Sequence, residues 1–157
     1  MAMIVAPLIH LLRMHIELYE SLLALSRRKT EALKKNDIEA LSALLADEQK
    51  HILAIRQLEE RRQRWLKETL GDEAATLSRC MDLAKGKERE ELRECQARLQ
   101  TAVKAVAEAN ELNRQLIEQS LQFVTAMIET FAPTPSTYSR TQQYASSPER
   151  PLFESKA

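Results

Sequence analysis

Punctuation for tight turns is nearly missing from this chain. It holds two glycines, Gly71 and Gly86, and four of its five prolines come after residue 131, at Pro133, Pro135, Pro148 and Pro151. A β-sandwich or an α/β nucleotide fold needs glycine turns and β-branched strands, and there are few of either. A backbone cradle for phosphate is excluded on the same ground. Roughly half of the residues are Ala, Glu, Lys, Leu and Arg, the composition of long helices and coiled coils. The fold class expected is therefore all-α.

At 157 residues, one domain is the default. Lys plus Arg number 23 and Asp plus Glu number 23. A net charge of zero argues against a nucleic-acid partner, which would call for a basic excess. No apolar run approaches the roughly 18 residues of a membrane span. The N-terminal MAMIVAPLIHLL lacks a basic start and is broken by Pro7, so it does not read as a signal peptide. Neither secretion nor membrane insertion is expected. Cys80 and Cys95 fit neither a CxxC pair nor a zinc framework, and they read as reduced, small apolar residues of a cytoplasmic protein.

The periodicity predicts three long helices. The first covers about 7–35, with Pro7 in its first turn and Leu8, Leu11, Leu12, His15, Leu18, Tyr19, Leu22 and Leu25 on one face. Asn36-Asp37 breaks the pattern, and Asp37 suits the N-cap of a second helix over 38–69. The apolar stripe of that helix is Ile38, Leu41, Leu44, Leu45, Ile52, Ile55, Leu58, Trp65 and Leu66. So short a turn makes the pair an antiparallel hairpin. Gly71 suits the position after the helix and Asp72 a further N-cap, so 72–84 is either a short helix or a loop. The third long helix covers 87–131 and at about 1.5 Å per residue spans roughly 65 to 70 Å. The architecture expected is an antiparallel three-helix bundle with long coiled-coil-like helices over 1–131. Residues 132–157, rich in Pro, Ser and Thr, lack the apolar content to offset ordering entropy and are expected to form a disordered tail. That tail is either passive or a short docking motif.

Catalytic chemistry finds little support. There is no HExxH, GxSxG or glycine-rich loop. Glu48-x-x-His51 has the spacing of a di-iron carboxylate motif, but such sites use two copies and two further glutamates. His10, His15 and His51 read as packed or half-exposed helix residues. No catalytic residue, metal site or cofactor is expected. A metal-dependent four-helix enzyme around Glu48 and His51 would show bound metal. The runs Glu59-Glu60-Arg61-Arg62-Gln63-Arg64 and Glu88-Arg89-Glu90-Glu91 read as solvated helix faces.

The end of the third helix is more informative. At 100° per residue, Leu112, Leu116, Ile117, Leu121, Phe123, Val124, Met127, Ile128 and Phe131 share one arc of roughly 180°. Asn110, Asn113 and Ser120 lie inside the same arc. A coiled-coil seam needs a narrower stripe. The arc is either intramolecular core or a core with a flank left for a protein partner. The polar residues in it serve to fix the register of a neighbouring helix.

The segment Asn113-Arg114-Gln115-Leu116-Ile117-Glu118-Gln119-Ser120-Leu121-Gln122-Phe123-Val124 resembles the C-terminal helix of the FlgN-like flagellar export chaperones. The start of the second helix, Asn36-Asp37-Ile38-Glu39-Ala40-Leu41, and its end, Leu58-Glu59-Glu60-Arg61-Arg62, agree. So does the tail around Thr137-Tyr138-Ser139, although it has no glycine after Tyr138. The resemblance implies a cytoplasmic, non-enzymatic chaperone. It would hold the C-terminal helical region of the hook–filament junction proteins, FlgK-like and FlgL-like, and deliver them to the flagellar type III export apparatus. The partner-binding residues it implies are Asn110, Asn113, Leu116, Ile117, Ser120, Leu121, Phe123, Val124, Met127, Ile128 and Phe131. The competing reading is a coiled-coil scaffold or homodimer with no export role.

Overall fold

A computed structural model describes residues 4–131. These residues form four helices: α1 Ala6–Lys35, α2 Ile38–Leu70, α3 Leu77–Leu83 and α4 Lys87–Phe131. No strand occurs among them. The expected tail, 132–157, lies outside the described residues. The chain divides into two compact units, Met1–Leu116 and Ile117–Ala157. The first unit ends at Leu116, fifteen residues before the boundary drawn at 131 from the sequence.

Local chemistry sets the helix ends. Pro7 stands in the first turn of α1, where its missing N–H leaves nothing unpaired. Asn36 closes α1 in the left-handed conformation, φ 54°, and sends its N–H to the carbonyls of Ala32 and Leu33. Asn tolerates that conformation better than other residues with a side chain. Asp37 then caps α2 by accepting a hydrogen bond from the Ala40 N–H at 3.1 Å. Gly71, φ 70°, ends α2. The cap of α3 differs from the expected Asp72. The Asp72 carboxylate already accepts from the Ala74 N–H, one turn early, and the Thr76 hydroxyl accepts from the Arg79 N–H instead. The short helix therefore starts at Leu77 rather than at residue 72.

Within the first unit, α1 carries links to both long neighbours. On α2 it meets Glu59 beside His15, His51 at Ser21 and Glu48 at Lys29, so the partners fall in number as α1 advances. On α4 it meets Glu91 at Arg13, Arg98 at Glu20, Asn110 at Ser26 and Asn113 at Thr30, so the partners rise. Two apolar clusters sit along α1. One joins Leu8, Leu12 and Ile16 to Leu66, Cys80, Leu92 and Cys95, and the other joins Leu22, Leu25 and Ala32 to Leu44 and Val106. Cys80 and Cys95 are both free thiols inside the first cluster. Only Leu44, Leu58 and Leu66 of the expected α2 stripe are fully buried, while Ile38 and Leu45 are exposed. The seam that covers α2 is narrower than the apolar arc the helix offers.

Polar groups interrupt the apolar clusters. Lys29 donates to Glu48 with both side chains largely out of water. Breaking such a pair from one side leaves a buried charge, whereas an apolar pair of similar volume leaves none. Lys29→Met or Glu48→Leu alone is expected to cost about 3 kcal/mol in denaturant unfolding, and the double substitution much less than their sum.

His15 is buried, and its Nε2 has no hydrogen-bond partner. Glu59 Oε2 stands 3.9 Å away, beyond hydrogen-bond reach. Burial pushes the imidazole below its ordinary value of 6.5, against the upward pull of Glu59. The unfolded chain therefore takes up a proton near 6.5 that the folded chain refuses. Stability should fall as pH drops through that value, and His15→Leu should flatten this part of a melting-temperature profile. The Glu59 carboxylate, lowered from 4.5 mainly by its hydrogen bond from Arg62, acts only at more acid pH.

Candidate functional site

The residues singled out near the chain's third long helix all lie on α4, and the structure sorts them into two groups. Asn113 is buried, and Asn110 reaches back into the protein. Asn113 Nδ2 donates to the Ser26 carbonyl at 2.9 Å, and its Oδ1 accepts from the Thr30 hydroxyl. Asn110 Oδ1 accepts from the Ser26 hydroxyl at 3.1 Å. Asn113 thus turns its amide onto α1, whereas Asn110 stays exposed and gives α1 only its Oδ1. Leu116 is half-buried.

The rest of the group is exposed: Ile117, Ser120, Leu121, Phe123, Val124, Met127, Ile128 and Phe131. Phe123 is 66% exposed and Phe131 73%, values normal for lysine but costly for phenylalanine. On the helical wheel these residues fill a little under half of the circumference. Their helix segment, 117–131, is about 22 Å long at 1.5 Å per residue. It carries Glu118 and Glu129 on the polar side and no basic residue. Just before it, Arg114 and Gln115 hydrogen-bond Glu111, and these bonds hold the Glu111 carboxyl down to about 2. The surface there stays charged while the opposite arc is apolar. Chemically the arc can bury a second apolar helix and do little else.

Glu48 and His51 each have a partner on α1. Glu48 pairs with Lys29, and His51 Nε2 lies 2.7 Å from the Ser21 hydroxyl. Among the described residues no three His, Cys, Asp or Glu side chains stand together as a metal site would need. Among them, too, no helix is long and apolar enough to cross a membrane. Burial pushes the thiols of Cys80 and Cys95 above their ordinary value, which keeps them protonated and unreactive. His10 is exposed.

Sequence reasoning passed over Ser26 and Thr30, which receive the two asparagines. A signal was present. Leu22, Ser26, Lys29 and Thr30 continue the three-and-four spacing of the α1 stripe, so polar residues were sitting at core positions.

Residues 1–146 match the family described as FlgN protein. Uncharacterized protein YvyG of Bacillus subtilis (strain 168) is 36% identical over 145 residues, which cover 89% of this chain and 91% of that protein. No solved structure matches. Helices without strands among the described residues, an exposed apolar arc near the end of α4 and a family match over residues 1–146 lead to one assignment: the chain belongs to the FlgN family.

Proposed function

We propose that this protein is a cytoplasmic flagellar export chaperone. It binds the C-terminal helical region of the hook–filament junction proteins, FlgK-like and FlgL-like, keeps them from assembling early and delivers them to the type III export apparatus. Membership of the FlgN family supports the chaperone role. The observation that carries the binding site is the exposure of every residue in 117–131, including Leu121, Phe123, Val124, Met127, Ile128 and Phe131. In this reading the scaffold is an antiparallel three-helix bundle, a view supported by the opposite order of the links from α1 to α2 and to α4.

The physics of such a site is coupled folding and binding. The client segment is unstructured before assembly and has an apolar helical stripe. Laid against the arc, it removes both stripes from water at roughly 25 cal/mol per Å². Ordering the segment costs several kcal/mol of that gain, so the complex is specific yet comes apart when the client is handed on. Met127 adds an adaptable side chain suited to more than one client. The process the protein promotes is assembly control, and the residues of the arc supply contact rather than bond chemistry.

Substitution separates the outward arc from the inward Asn113. Phe123→Asp and Ile128→Asp should leave unfolding within about 0.5 kcal/mol of the parent protein. Each should weaken client binding, read by calorimetry, by about 2 kcal/mol or more. Asn113→Ala should do the reverse on stability, costing about 1 kcal/mol for the lost buried amide bonds, since the Thr30 hydroxyl and Ser26 carbonyl can still bond each other. The binding partners to titrate are the hook–filament junction proteins of the same organism, with and without their C-terminal helices. Binding that survives that deletion, or a stable homodimer that binds neither client, would overturn the assignment.

A further inference from the structure

Ser21 on α1 and His51 on α2 form a pair whose proton positions follow from their surroundings. The Ser21 Oγ and His51 Nε2 are 2.7 Å apart. The other ring nitrogen, Nδ1, lies 2.8 Å from the Asp47 carbonyl oxygen. A carbonyl only accepts, so Nδ1 carries the hydrogen and donates it. In the neutral ring Nε2 is then the acceptor, and the Ser21 hydroxyl is the donor. The result is a hydroxyl pointed at a basic nitrogen whose tautomer and tilt are fixed by a third group, the arrangement that activates a serine nucleophile. Ser21 is exposed and His51 half-buried, so a solute reaches the oxygen while the ring is held.

We propose that Ser21 and His51 act together as an acyl-acceptor pair that reacts with activated acyl donors, aryl esters being the simplest. Ser21 Oγ attacks the acyl carbon as its proton passes to His51 Nε2. The bond from the acyl carbon to the aryloxide oxygen then breaks, the aryloxide leaves with the electron pair, and the imidazolium returns its proton to the leaving group. No oxidant, metal or cofactor enters the balance.

The surroundings also set the substrate class. Ser21 stands mid-helix, where the backbone N–H groups are engaged in the helix and cannot form an oxyanion hole. Loss of one oxyanion donor costs an ordinary esterase about 10²- to 10³-fold. Unactivated esters and amides, which depend on that stabilisation, fall outside the reach of the pair. An acyl group with a good leaving group needs it least. The pair shares no residue with the apolar arc of α4, so the inference stands whether or not the chaperone assignment does.

The test treats the full-length protein with p-nitrophenyl acetate and follows nitrophenolate release and the intact mass, with the acetylated residue located by peptide mapping. The expected result is one acetyl group on Ser21, absent in Ser21→Ala. In His51→Gln labelling should slow about a hundredfold, the low end of general-base contributions. His10→Gln should label as the parent protein does, which separates the pair from generic histidine reactivity. Circular dichroism of each variant keeps loss of fold distinct from loss of chemistry. Acetylation confined to lysines, labelling of Ser21 that survives His51→Gln, or no labelling at all would overturn the proposal.

Discussion

The amide of Asn113 gives one hydrogen bond to α1 and takes another from it. Apolar contacts between helices slide cheaply, because one leucine replaces another at nearly the same energy. An amide wedged between the Ser26 carbonyl and the Thr30 hydroxyl does not slide. A shift of one turn, about 5.4 Å, would strand the buried amide, at about 1 to 3 kcal/mol, while the Thr30 hydroxyl would fall back on the Ser26 carbonyl of its own helix. The hydroxyl has a single proton, and the nearer acceptor, Asn113 Oδ1, takes it ahead of the Ser26 carbonyl at 3.0 Å. With α1 pinned in this way, Arg13 and Glu20 meet Glu91 and Arg98, and the two apolar clusters fall into line.

That pin stands close to the end of what α1 has to offer. Thr30 is followed by only one and a half turns of helix before Asn36 closes it. A polar layer at that position costs little in core volume and excludes alternative registers, a use for buried asparagine well attested in coiled coils. The segment 117–131 is helical for a separate reason. A free peptide of that length is marginal as a helix because nucleation is costly, whereas adding turns to a helix already formed is not. Its Leu, Gln, Glu, Ala and Met residues favour propagation. The helix that the arc continues therefore holds it in shape, so an apolar helix docked there would bear the ordering cost itself.

The helix ends were legible because they are local. Pro7, Asn36-Asp37, Gly71 and Gly86 each act within a turn of their own position. The start of α3 was not, since Asp72 and Thr76 are equally good caps on paper and the choice turned on a short-range bond to Ala74. Periodicity found the apolar faces of α1, α2 and α4 but not their covered width. Ile38 and Ile128 carry the same signal as Leu44 and Leu66, yet the first two are exposed. Burial depends on which neighbour reaches a residue, and a single helix pattern does not contain that. The asparagines were recognisable as register devices, while their partners required the fold of α1 against α4.

The position of the two thiols has a kinetic side. Cys80 is buried to 1% exposure and belongs to a seven-residue helix too short to hold itself together. A thiol reagent reaches that sulfur only when α3 lifts from the Leu66 and Leu92 side chains beneath it. Cys95 sits in the middle of a helical turn of α4, so its exposure requires a larger opening. The two sulfurs thus act as clocks running at different rates, one counting excursions of α3 and the other the parting of the long helices.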